Sequence, residues 1–382
     1  MNNNTKYLLL QIFYYSAFAI IWVFAKNYLE YQNMNNKLIG ITLAIAPILY
    51  ITIQPMFANL LDKLGSKYIK TFITSFTFIV ILITISLIYI NNIFFSSFAF
   101  IMIGFIMMSL MPFMNTIPLL YKNNEINFGL CRAFGSLSFA LSSLIIGILI
   151  HKFSPRIQLY IGISCLLLII LFTIIIKIPN TQITNNNNSN LTYTDFFKKY
   201  KSFSILCLAF MLIFISHMII NTYAFDIVKK TGGNEKHLGI IFFVAAISEM
   251  PCMIFFNKLK EFINLKILVT ISCFFIFLKI FLSLIASNTK FLISIQFVQA
   301  LGYGLFIPST IYLSTKIIDN NNISKSQALL AATTNGAGGV IGNFLGGFLQ
   351  EYFHINTVLI IGSVIALTGV LIVILILKNL KI

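Results

Sequence analysis

The chain has 382 residues, of which 58% are hydrophobic, only 9% are charged and 39 are Phe, so its apolar surface cannot be hidden inside one water-soluble globule. The net charge of +16, from 26 Lys and Arg against 10 Asp and Glu, is scattered through short connections. It forms neither a cluster nor a stripe interleaved with aromatics, which argues against nucleic acid as a partner and for an integral membrane protein.

Taken in order, apolar stretches of about 20 residues predict twelve spans. They cover 7–28, 38–61, 68–91, 94–121, 127–150, 157–177, 204–226, 237–257, 265–287, 289–315, 325–349 and 355–377. The opening Met1-Asn2-Asn3-Asn4-Thr5-Lys6 leads into the first without a small-residue cleavage signal, so that stretch reads as a retained span. An even number of spans puts both ends of the chain on one side. One set of connections, with the two ends, holds 16 lysines, whereas the other holds eight basic residues, Lys26 among them. The richer side is expected to be cytoplasmic, in a cell (inner or plasma) membrane.

The longest polar connection, Pro179 to Ser202, falls near the middle and contains Asn185-Asn186-Asn187-Asn188 and then Asn190, which cannot form a core. After it, Thr194 to Lys201 reads as a short interfacial helix, aromatic on one side and basic on the other. The simplest division is therefore a six-helix bundle over 1–178, a cytoplasmic linker over 179–203 and a second six-helix bundle over 204–382. Small residues of the fifth span, Gly135 to Gly147, have counterparts in the eleventh, where Gly338, Gly342 and Gly346 recur every four residues and align on one face that another helix can approach closely. Pro47, Pro55, Pro112, Pro118, Pro251 and Pro308 each remove a backbone hydrogen bond and predict bends.

Charges inside spans are the candidates for function, because lipid tolerates them poorly. Arg132, in Phe128-Gly129-Leu130-Cys131-Arg132, is a candidate substrate ligand; the bland alternative is a side chain that snorkels to the nearby interface. Glu249, near the middle of the eighth span, is a candidate proton carrier. Lys279 is similarly central in the ninth and serves as its counter-charge or as an anion ligand, unless the two are a static ion pair holding helices together. His217 is the histidine well inside a span and either touches substrate, relays a proton or is satisfied by a backbone carbonyl. Asn115, Asn221, Gln299 and Asn335 are neutral polar groups at plausible pore-facing positions. The five cysteines lie in apolar segments without CxxC spacing, so neither disulfide nor metal is expected. Phosphate-loop and serine-nucleophile motifs are missing, so neither an enzyme nor a cofactor is expected.

The stretch Gln54-Pro55-Met56-Phe57-Ala58-Asn59-Leu60-Leu61-Asp62-Lys63-Leu64-Gly65 resembles the loop between the second and third helices of the major facilitator superfamily, in the form found in lactose permease and its relatives. Phe128 to Ala140 is similar to the fifth-helix motif of those relatives, and Leu238-Gly239, Glu249 and Asn257-Lys258-Leu259 resemble the phenylpropionate permease branch. The resemblance implies a twelve-helix bundle of two pseudo-symmetric halves with alternating access. It implies substrate binding by Arg132 and a cytoplasmic gate contact at Asp62, in the turn closed by Gly65. The family's loop glycine is Ala58 here, and the fourth-helix acid that pairs with the arginine is Asn115. The histidine and glutamate of lactose permease's tenth helix have no match in Gly302-Tyr303-Gly304-Leu305, so coupling falls mainly to Glu249.

These readings predict a monomeric secondary transporter coupling a small organic solute, such as an aromatic or other carboxylate, to proton import. A sugar or nucleoside is the alternative substrate. Efflux by proton antiport is the alternative direction, and a non-transporting receptor ranks last because the longest connection is only about 24 residues.

Overall fold

The computed structural model describes residues 2–121, 126–179, 193–319 and 322–380 and, among them, contains helices and no strand. The predicted asparagine run over 185–190 and the side chain of Asp62 lie outside the described residues. Eleven helices are long and apolar enough to cross a membrane. In chain order the first six are α1 (Asn3–Tyr31), α2 (Asn36–Leu64), α3 (Ser66–Tyr89), α4 (Ile93–Thr116), α5 (Phe128–Lys152) and α6 (Ile157–Ile175). They are followed by α7 (Lys201–Thr222), α8 (Glu235–Ile254), α9 (Leu265–Ile285), α10 (Thr289–Ile317) and α12 (Ile355–Asn379). The remaining predicted span, α11, is three helical segments in succession, Ile323–Ala331, Ala332–Gly338 and Gly339–Tyr352. Its glycines and its Thr333, Thr334 and Asn335 make it more polar than the other eleven.

Asparagine fixes many of the helix starts. The side chains of Asn2, Asn35, Asn92, Asn127, Asn264 and Asn288 each accept a hydrogen bond from a first-turn N–H, as in the 2.9 Å bond from Leu38 N to Asn35 Oδ1. A helix start leaves several N–H groups without intrahelical partners, and such a cap answers one of them where the chain enters lipid. At the other end of α2, Gly65 takes φ +90°, a conformation that a Cβ would strain, and its N–H returns to Leu61 O at 2.8 Å.

The helices form two compact units: residues 1–185 with 234–243, and residues 186–233 with 244–382. In the first unit α1 packs against α5 and α6, α2 against α4, and α3 against α4 and α6. The opening turns of α8 belong to this unit because their backbone meets α5: a Cβ built on Gly239 would stand 2.6 Å from Ser143 O, and one on Gly147 2.6 Å from Glu235 O. Lys26, expected in an outer connection, is instead buried within α1 and paired with Glu30 one turn on. The charge was read correctly as basic but not as buried, because its partner four residues later sits on the same helix face.

In the second unit α12 lies along α7, α9 lies against α10 and α12, and α11 packs on α7. The four-residue glycine spacing of α11 explains the last contact: a Cβ on Gly338 would stand 2.9 Å from Phe214 Cβ, and one on Gly342 2.6 Å from Ile215 O. A short helix forms over Tyr193–Lys199, where one was expected over Thr194 to Lys201. It is pinned by Phe196, only 1% exposed in a cluster with Phe203, Ile318 and Leu330. Lys199 Nζ and Tyr200 OH both donate to Asp319 Oδ2, at 2.5 and 2.6 Å.

Three spans carry irregular turns, one of them the π-helical segment Ala332–Gly338 of α11. α1 widens into a π-helical turn over Phe18–Val23, and α10 tightens into a 3-10 turn over Gln296–Ala300 before resuming as an α-helix at Tyr303. Such departures free backbone groups from the regular ladder and are tolerated in a membrane only where protein or a water-lined cavity receives them.

Candidate functional site

In the second unit, three of the predicted polar residues form one chain of hydrogen bonds. Lys279 Nζ, on α9, donates to Gln299 Oε1 at 2.8 Å, and Gln299 Nε2 donates to Glu249 Oε1 at 2.8 Å. Lys279 and Gln299 are 3% and 6% exposed, and Glu249 is half-buried, so the cation is drawn into the protein and the acid keeps some access. The expected direct pairing of Lys279 with Glu249 is thus bridged by a neutral amide. The bridge is positioned by the irregularity of α10, since Gln299 lies in its 3-10 turn. It also depends on a close approach: a Cβ on Gly304 would stand 3.2 Å from both Cα and O of Glu249, so the backbones of α10 and α8 touch there. Ser248 Oγ, beside Glu249, donates to Gln296 O at 3.2 Å and ties the same two helices.

His217, on α7, is buried and accepts at Nε2 from Asn221 Nδ2 at 3.0 Å. Its ring stacks on Tyr303 with centroids 5.0 Å apart and planes 6° from parallel, and Phe214 closes the group at 5.4 Å. The partner is therefore a side-chain amide one turn away, where a backbone carbonyl was the alternative. Tyr303, the first residue of the resumed α10, was missed from sequence. A tyrosine between two glycines carries no periodic signal, and only the stacking reveals it.

In the first unit, Arg132 Nη1 donates to Ser136 Oγ at 2.9 Å, and its guanidinium lies over the Tyr15 ring, 4.2 Å from the centroid. Ser136 is one turn further into α5, and Tyr15 is the thirteenth residue of α1. The side chain therefore runs into the bundle, opposite to the direction that snorkelling to the start of α5 requires. Gly135 makes this possible, since a Cβ there would come within 2.5 Å of the Tyr15 ring. A cation over an aromatic face gains from the ring quadrupole, and the guanidinium keeps further donors in one plane.

Among the described residues, four elements of the same unit carry buried polar atoms without a hydrogen-bond partner: both amide atoms of Gln54 on α2, Ser96 Oγ and Asn115 Oδ1 on α4, the hydroxyl of Tyr15 on α1, and both amide atoms of Gln158 on α6. Asn115 was expected from sequence as a site residue, whereas Gln54 and Tyr15 were not singled out. No cluster of three or more His, Cys, Asp or Glu able to hold a metal occurs among the described residues.

Eleven apolar membrane-length helices and the more polar, segmented α11, with charged and amide side chains held in their interior, define a multi-pass membrane protein. Residues 5–361 match the MFS_1 like family, and the chain belongs to it, within the major facilitator superfamily. It is 26% identical over 368 residues to the uncharacterized transporter YwbF of Bacillus subtilis (strain 168), covering 95% of this chain and 91% of that one. It is 22% identical over 382 residues to the maltose permease of Geobacillus stearothermophilus, covering 98% and 95% respectively. Among solved structures it is similar to the nucleoside transporter NupG, with a TM-score of 0.83 at 17% identity over 99% of this chain and 100% of that one, a likeness of fold. The protein is a secondary transporter and not an enzyme.

Proposed function

We propose that the protein is a proton-coupled symporter that imports a neutral, ring-bearing polar solute of the nucleoside or sugar class by alternating access. The observation that carries this reading is the Lys279–Gln299–Glu249 chain. Glu249 is the proton site: its half-buried carboxyl exchanges a proton with the transport path, while Lys279, reached through Gln299, stabilises the ionised form. Protonation then alters the hold of α8 on α9 and α10, which is the kind of local charge change that biases a two-state transporter. The halves 1–178 and 204–382, joined by 179–203, rock about this site, with both termini cytoplasmic and Asp62 and the Gly65 turn forming the cytoplasmic gate. The protein acts as a monomer.

The charge balance supports a neutral substrate. Lys279 and Glu249 offset each other, so their hydrogen-bonded chain offers no surplus cation, and the groups beside it include amides and the stacked His217–Tyr303 pair. That the similar proteins include a maltose permease and a nucleoside transporter points the same way. The second reading, a carboxylate, is favoured by one observation, the planar donor fork of Arg132 held over Tyr15. Uptake of radiolabelled uridine, maltose and phenylpropionate into proteoliposomes, with and without an imposed inward proton gradient, separates these. Gradient-driven accumulation of uridine or maltose is expected. Accumulation of phenylpropionate alone would replace the substrate class, and efflux alone would reverse the direction.

A further inference from the structure

We propose that Gln54 is the specificity-determining residue of the first unit, contributing a two-pronged amide that pairs with adjacent hydroxyls or with the donor–acceptor edge of a heterocycle on the solute. The inference rests on the transport reading above. Gln54 is 7% exposed, and neither its Nε2 nor its Oε1 has a hydrogen-bond partner among the described residues. A buried amide left in this state costs stability, and an apolar side chain of the same length at the same place would not. Gln158 on α6 holds both its prongs in the same state, so it is the placement of Gln54 beside other polar groups that points to a ligand.

The surroundings support a ligand over a packing defect. Gln54 precedes Pro55 inside α2, and proline donates no backbone hydrogen bond, so Ile51 O also lacks its usual helical partner. One turn back on the same face stands Tyr50, within electrostatic reach of Tyr14 on α1. Tyr14 OH in turn donates to Met107 O on α4 at 2.8 Å. The α2–α4 pairing sets the level of Gln54: Thr42 and Ser97 hydroxyls meet at 2.5 Å, and a Cβ on Gly104 would stand 2.9 Å from Ala46 Cβ. Continuing that parallel register at about 1.5 Å per residue pairs Gln54 with residues 109–112 of α4, one to two turns before Asn115. Asn115 Oδ1 is likewise buried and unpartnered, as is the hydroxyl of the adjacent Tyr15. Three elements thus carry neutral donors and acceptors in this unit, and the charge beside them is Arg132, over the Tyr15 ring. The chemistry they select is a polyhydroxylated or amide-edged neutral solute. Two prongs on one side chain discriminate strongly, since an analogue lacking one group returns one prong to its unpartnered state.

The test compares wild type with Gln54→Met, which keeps chain length and removes both polar atoms, and with Gln54→Asn, which keeps the amide but shortens its reach. Proteoliposome uptake is measured with uridine, maltose and their deoxy analogues, alongside the melting temperature of ligand-free protein. For whichever probe the wild type accumulates, Gln54→Met is expected to raise KM about tenfold or more and to narrow discrimination against the deoxy analogue. It should leave kcat within about twofold and raise the ligand-free melting temperature. Gln54→Asn should fall between. An unchanged KM and selectivity, or a lowered melting temperature in Gln54→Met, would overturn the assignment while leaving the transport reading intact. Failure of the wild type to accumulate either probe would sink both together.

Discussion

Both units leave some buried polar atoms unpartnered, Asn322 Oδ1 and Gln350 Oε1 in the second among them, but around their candidate sites the two differ. At mid-depth in the second unit, Lys279, Gln299 and Glu249 satisfy one another, His217 is held by Asn221, and Thr222 Oγ1 donates to Asn343 Oδ1 at 2.5 Å. In the first unit, Gln54, Asn115 Oδ1 and the Tyr15 hydroxyl are buried and unpartnered, and Arg132 is steadied by a ring and a single serine. A satisfied network has a definite ground state that a change in protonation disturbs, whereas an unsatisfied set has its hydrogen-bonding capacity in reserve. The difference suggests a division of labour in which the second unit couples and the first unit recognises.

The largest expected effect breaks the coupling side. Glu249→Gln keeps an oxygen that can accept from Gln299 but cannot exchange a proton, so gradient-driven accumulation should fall to equilibration while exchange of labelled for unlabelled solute persists. Counterflow measured beside net uptake in the same proteoliposomes checks this, and active accumulation by the variant would remove Glu249 from the proton site. Next comes the recognition side. Arg132→Lys retains charge but loses the planar fork and most of the stacking over Tyr15, and binding measured by ligand-induced thermal shift should weaken tenfold to a hundredfold, about 1.4–2.8 kcal/mol. Equal affinity in the variant would reduce Arg132 to a structural tie between α5 and α1. Gln299→Leu should disturb the second unit's stability more than its selectivity, because the linked ends of the chain lose their bridge. A loss of about 1–3 kcal/mol is expected, read as a lowered melting temperature with substrate preference unchanged. A changed preference with an unchanged melting temperature would erase the distinction between the units.

How much of this was legible in the sequence follows from the kind of signal each feature leaves. Twelve apolar stretches state their own helicity because lipid leaves the backbone no alternative, and the glycine spacing of α11 announced a close helix contact that proved to be with α7. Glu249, Lys279 and Arg132 stood out because charge inside a span is rare. What they touch did not, since the Gln299 bridge depends on a 3-10 turn in α10 that no periodicity marks. Gln54 was passed over because a glutamine inside an apolar helix is ordinary until its partners are counted, and Lys26 was placed in a connection because a lysine near a span's end usually marks one. The asparagine caps explain why the first two predicted spans began late, at 7 and 38 where the helices begin at Asn3 and Asn36: hydropathy begins at the first apolar residue, and the helix begins at the cap.

The smallest effect lies outside the membrane and tests whether the linker helix belongs structurally to the coupling unit. Asp319 is held below the ordinary carboxylate range, first by the hydrogen bond from Lys199 and then by that from Tyr200, and Lys199 is correspondingly raised. The sign follows from linkage: a carboxyl whose folded value is depressed contributes stability above its unfolded value, near 3.9, and that contribution is lost as pH falls through the folded value. The docking of Tyr193–Lys199 should therefore be unchanged between neutral pH and about pH 5 and loosen only below about pH 4. Because both charged groups are solvent-exposed, the pair itself adds little and Phe196 carries most of the attachment. Hydrogen exchange in the linker helix should accordingly rise modestly in Asp319→Asn at neutral pH and strongly in Phe196→Ala. If Asp319→Asn instead frees the helix as fully as Phe196→Ala does, the attachment is electrostatic, and raising the salt concentration alone should detach it.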